Sequence, residues 1–188
     1  WPQQLFESSL THRAAPRHVA DEVAQQLETL NNENFNALAQ AIRHRDFDAR
    51  HAHDAKSFKQ RKAIPILILA LHDLDPVVRR LALWGFSEMR FYETLPVIAI
   101  LLKDEDPLVR AEAAGAIGDF GEKSWAIKLT PLLSDSSPLV RQRVAHALGD
   151  LADSTTLPAL KQALGSPSNQ SHPDVLDEIK WAIRELEE

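Results

Sequence analysis

Asp75-Pro76-Val77-Val78-Arg79 returns as Asp106-Pro107-Leu108-Val109-Arg110 and again as Ser137-Pro138-Leu139-Val140-Arg141, each copy 31 residues after the last. Self-similarity at such a period means stacked copies of one supersecondary unit, none of which buries its apolar face alone. The residues after each motif show what that unit contains. Val78, Ala82, Gly85, Phe86 and Met89 recur as Val109, Ala113, Ala116, Ile117 and Phe120, and steps of i, i+4, i+7, i+8 and i+11 line one face of an α-helix. Asp75 and Asp106 stand where an N-cap belongs, and Pro76 and Pro107 follow as first helical residues, where a missing amide hydrogen costs nothing. Gly121 suits a helix stop, and Gly118 and Gly149 read as points of close backbone approach.

A shorter helix precedes each of these, beginning near Ala63 and Thr94. The run Pro96-Val97-Ile98-Ala99-Ile100-Leu101-Leu102 also reads as a buried strand. The equivalent window after Pro158 decides for helix, because Leu160, Ala163 and Leu164 sit at i, i+3 and i+4 and β-branched residues are few. A fourth copy follows with an insertion. Pro173 comes 35 residues after Pro138, and Val175, Ile179, Ala182, Ile183 and Leu186 then match Val140, Val144, Ala147, Leu148 and Leu151. The insertion falls within 165–172 and reads as loop.

The expected fold is therefore all-α, a solenoid of stacked helix-turn-helix units. Four repeats occupy residues 63–188, the last serving as C-terminal cap. Residues 1–62 form an N-terminal helical cap or degenerate repeats, with one amphipathic helix carrying Val19, Val23, Ala24 and Leu27 and a second carrying Phe35, Leu38, Ala39 and Ile42. Asp46-Phe47-Asp48-Ala49-Arg50 looks like a decayed copy of the motif.

Three columns run through the repeats: Asp73, Asp104 and Asp135; Arg79, Arg110 and Arg141; and the first-helix prolines Pro65, Pro96 and Pro158. On these residues the region from Ala63 to Glu188 resembles HEAT repeats, particularly the short HEAT-like repeats associated with phycobilisome (bilin) lyases. The resemblance implies that the Asp and Arg columns pair between units as a structural ladder. Leu176 and Ile127 depart from the pattern, standing where an Arg and a first-helix Pro are expected. A terminal repeat lacks one neighbour, so Leu176 fits a cap. The Trp-Leu-Gly and Thr-Pro-Leu-His signatures of tetratricopeptide and ankyrin repeats are absent.

Composition narrows the function classes. No apolar run approaches the roughly 20 residues that span a bilayer. There is no cysteine, so disulfides, zinc thiolates and thiol nucleophiles drop out, while the compartment stays open with the cytoplasm as default. Because the chain starts at Trp1, a signal or anchor upstream is compatible with it. A formal charge of −6 and a pI near 5.8 argue against a dedicated nucleic-acid binder, whose affinity comes from Lys and Arg displacing counterions. Charge is also polarised. Residues 43–62 carry seven basic against three acidic residues, and residues 173–188 six acidic against two basic, a pattern that allows head-to-tail association of copies or reflects solvated helix faces.

Catalytic patterns are missing. His44, His51, His53 and Asp54 are the one cluster of metal-ligand types; helical residues two apart point in nearly opposite directions, so His51 and His53 cannot share an ion, while His51 and Asp54 at i, i+3 can, an incomplete ligand set. No Glu directly follows a histidine, and no nucleophile elbow or phosphate-binding glycine loop occurs. No catalytic residue, metal or cofactor is therefore expected.

Binding residues are read from the column Trp84, Gly115, His146, Trp181 on successive second helices. Trp84 lies about 240° round the wheel from Val78, off the core face. Its neighbours Arg80, Leu83 and Ser87, with Gln142, complete a candidate partner-binding surface, in which aromatic rings flank a notch at the small Gly115. For Trp84, and more so for Trp181, the alternative is packing between repeats. The expected function is a non-enzymatic scaffold binding a partner protein on its concave face. The alternative, resting on resemblance, is a bilin lyase or related tetrapyrrole-handling protein.

Overall fold

The computed structural model describes residues 18–48 and 60–187, whose regular structure is all helical, with no strand among the described residues. The chain divides into two compact units, residues 1–97 and 98–188.

The first unit contains α1 (Ala20–Glu28), α2 (Glu33–His44), α3 (Ala63–Ala70) and α4 (Pro76–Met89). The turn-rich asparagines start α2. Asn31 takes a left-handed backbone, φ 50°, and the side chain of Asn32 accepts from the Asn34 and Phe35 amides at 3.0 and 3.3 Å, satisfying donors the helix leaves open. α1 packs on α2 and α3, and α4 on α2 and α3. Burial follows the expected stripes: Val23, Ala24 and Leu27 from α1 and Phe35, Leu38, Ala39 and Ile42 from α2 are inaccessible. Each large side chain so buried contributes about 1.5–3 kcal/mol. Gly85 sets the approach of α4, since a Cβ there would stand 2.9 Å from Leu67 and 3.1 Å from Leu38.

The boundary falls within α5 (Leu95–Ile98), which a 3-10 turn continues over Ala99–Lys103. The second unit then runs α6 (Pro107–Phe120), α7 (Ala126–Leu129) with a 3-10 turn over Thr130–Ser134, α8 (Pro138–Leu151), α9 (Leu157–Leu164), α10 (Pro167–Gln170) and α11 (Pro173–Glu187). α8 packs against α6 on one side and α11 on the other, the stacking expected of second helices. Pro76, Pro107, Pro138 and Pro173 each open a helix. Gly121, at φ 68°, ends α6.

Two expectations need correction. The first helices of the middle repeats are not continuous α-helices but four-residue segments prolonged as 3-10 turns. At Pro131 the cause is visible: proline has no amide to donate to the Ile127 carbonyl, and the Thr130 hydroxyl donates to it instead at 2.9 Å. The insertion at 165–172 is not all loop, because α10 lies inside it and carries the wholly buried Asn169.

No helix among the described residues is long and apolar enough to cross a membrane.

Candidate functional site

The turn before each of the first three second helices, α4, α6 and α8, is built from the Asp and Arg columns. Asp73, Asp104 and Asp135 each accept, through Oδ1, the backbone amide two residues on, at 2.7, 2.9 and 2.8 Å. This small ring positions the residue two on as N-cap, and Asp75 and Asp106 then accept from Val77 and Leu108 at 2.9 and 2.8 Å. Arg79, Arg110 and Arg141 close the same turn from inside. Each donates from Nη1 at 2.8 Å to the carbonyl of its own repeat's aspartate. The columns alone do not reveal this role within the repeat; its signal in the sequence is the fixed Asp-to-Arg spacing of six residues.

In the second unit the same arginines also reach the next repeat. Arg110 forms a two-point bond with Asp135, Nε to Oδ2 at 2.8 Å and Nη2 to Oδ1 at 2.9 Å. Burial pushes the Asp135 carboxyl up, but the bonds from Arg110 and the Ser137 amide outweigh it and hold the group below its ordinary range. Arg141 donates to Asn169 Oδ1 at 2.6 Å and to the Ser168 carbonyl at 3.1 Å. Asn169, anchored to the Ala163 carbonyl at 2.8 Å, takes the place of an aspartate. In the first unit the donors to Asp73 are the Val19 amide at 2.5 Å and His18 at 3.3 Å, at the start of α1.

This framework holds the exposed faces of α8 and α11 side by side. His146 on α8 is fixed from three directions. Its Nδ1 meets Glu178 on α11 at 2.8 Å, its Nε2 lies 3.4 Å from Asp150, and its ring stacks on Trp181 at 5.0 Å between centroids, inclined 23°. Trp181 in turn lies over Gly149, where a Cβ would stand 2.7 Å from its Cη2. Beside the stack opens a groove of about 320 Å³ lined by Leu139, Gln142, Arg143, His146 and Glu178. Gln142, His146 and Trp181 thus come together, all half-buried. Leu139, Arg143 and Glu178 were missed. Their clue was the shared repeat position of Arg143 and Glu178, obscured by the insertion.

The expected notch at Gly115 is filled: the Arg143 guanidinium rests there, its Cζ 2.7 Å from where a Cβ would stand. In the first unit Leu83 is inaccessible and Ser87 is 8% exposed, its hydroxyl 3.4 Å from the Leu83 carbonyl. Neither presents a surface, because α4 is covered by both α2 and α3 and buries a wider arc than its core stripe. Trp84 is half-buried. Arg80 is also half-buried, its guanidinium 3.7 Å from the centre of the Phe47 ring.

His44 is exposed at the end of α2, and His51, His53 and Asp54 lie outside the described residues. Arg50 lies outside them as well. Asp46 and Asp48 form a turn after α2, with the Asp48 amide donating to Asp46 at 3.0 Å, the arrangement seen at Asp73 and Asp75. Among the described residues no three metal-ligand side chains gather. No curated protein matches the chain. The family model for HEAT repeats fits it twice, over residues 64–130 and 95–184, and on the proline-opened second helices and the turn that repeats before them the chain belongs to the HEAT-repeat family.

Proposed function

We propose that the chain is a non-enzymatic scaffold that binds a partner protein on the exposed, inward faces of its second helices, with the groove between α8 and α11 as the principal seat. The reading takes the repeat as 31 residues long, stretched to 35 at the last copy by its insertion, so equivalent positions such as Arg143 and Glu178 still line the groove together. One observation carries it: an aromatic pair, His146 on Trp181, is locked by Glu178 and Asp150 along the wall of an open groove. Large rings already held in place lose little entropy on binding, which is how interface anchors gain their contribution. A stacked-repeat frame adds to this, since the partner's ordering dominates the cost.

Affinity capture from extracts of the source cells, read by quantitative mass spectrometry, tests the proposal. Wild type is expected to retain a protein that His146→Ala and Gln142→Arg each lose by about tenfold or more, with melting temperatures showing the variants folded. Equal retention by all three proteins refutes it. The bilin-lyase alternative rests on the likeness of the repeats alone. A free bilin titrated with the protein separates the two: a shift in visible absorption supports the alternative, and an unchanged spectrum at saturating protein removes it.

A further inference from the structure

We infer that Arg143 is the residue by which this groove recognises its partner, and that the partner segment meets it with a carboxylate set beside an apolar side chain. The inference rests on the α8–α11 groove being the docking seat.

Arg143 differs from the other half-buried or buried arginines of the second unit. Arg110 is bound to Asp135 and Arg141 to Asn169, whereas Arg143 makes no hydrogen bond or ion pair among the described residues, although it is half-buried. It is also seated. Its guanidinium lies against α6 where residue 115 is glycine, and any side chain there would displace it. A planar fork with unused donors, held against backbone at the wall of a groove, matches a carboxylate in two-point geometry. The groove's own carboxylate, Glu178, is engaged by His146 at 2.8 Å. Leu139, 43% exposed, supplies an apolar contact at the same groove.

Charge on the larger scale points the other way. Residues 98–188 hold nine Lys and Arg against fifteen Asp and Glu, the whole −6 of the chain. That field falls off over about 10 Å at 0.1 M salt, while a carboxylate on Arg143 is in direct contact, so the local guanidinium decides what is read in the groove. The same field repels polyanions, which favours a single carboxylate in a protein segment over a nucleic-acid backbone.

Random dodecapeptides displayed on phage and selected on wild type, Arg143→Gln and Arg143→Glu provide the test. Wild type is expected to enrich Asp or Glu next to Leu, Ile or Phe. A synthetic peptide of the enriched sequence should lose about tenfold or more in affinity on Arg143→Gln, with partial recovery in Arg143→Lys, and Arg143→Glu should enrich Lys or Arg instead. Wild-type selection of Lys or Arg, or acidic peptides that bind Arg143→Gln unchanged, overturns the carboxylate inference. If those peptides are nonetheless lost on His146→Ala, the groove stands as the docking seat. Failure to enrich any peptide on wild type overturns both readings.

Discussion

The first and second units solve one problem with different donors. Asp73, in the first, receives a backbone amide at the start of α1, where unpaired N–H groups and the helix dipole favour a carboxylate. Asp135, in the second, receives the guanidinium of Arg110, and at the last rung the neutral Asn169 receives that of Arg141. What stays the same is the turn, in which each aspartate accepts the amide two residues on. The aspartate column therefore marks a turn first and a contact between repeats second, and the neighbouring element supplies whichever donor it has.

Removing Arg141 should break this comparison most severely. The residue is buried, 3% exposed, and bonds four groups in two repeats. Arg141→Ala is expected to lower unfolding stability by about 3–5 kcal/mol, seen in denaturant melts. Asp135→Asn comes next, at about 2–3 kcal/mol, and it carries a pH signature. Because the folded carboxyl titrates below its ordinary value, the contribution is complete above the unfolded pKa of about 3.9 and is lost as pH falls through the lower folded value. The gap between wild type and Asp135→Asn should stay constant from pH 7 down to about 5 and narrow below about 4.

Three smaller effects sharpen the contrast within the second unit. Gly149→Ala forces a methyl group against the rigid Trp181 ring and should cost about 1–2 kcal/mol in thermal melts. Gly115→Ala displaces only the flexible end of Arg143 and should leave stability within about 0.5 kcal/mol. Ser137→Asp acts with the opposite sign. Ser137 caps α8 without a side-chain bond, whereas Asp75 and Asp106 make one for α4 and α6. The change should raise stability by about 0.5–1 kcal/mol.

Much of the helical order was legible because proline, N-cap and apolar spacing act locally. The starts at Pro76, Pro107, Pro138 and Pro173 needed no tertiary information. Leu83 and Ser87 show where that logic ends: a wheel drawn for one packed side puts them at the surface, and cover from both α2 and α3 buries them. Asn169 was hidden for another reason. Its role depends on a one-turn helix formed within the insertion, which brings an amide to Arg141 where column alignment offers only loop residues. Arg143 is illegible from the columns because Gly115, set between Trp84 and His146, reads as empty space, whereas glycine there makes room for a side chain from the neighbouring second helix.

Amide hydrogen exchange, with and without the captured partner, tests the central claim most directly. Binding should slow exchange within 139–150 and 174–185, the exposed faces of α8 and α11, and leave 123–134, which carries the outlying Ile127, unchanged. Protection over 123–134 with none along α8 and α11 would contradict the account.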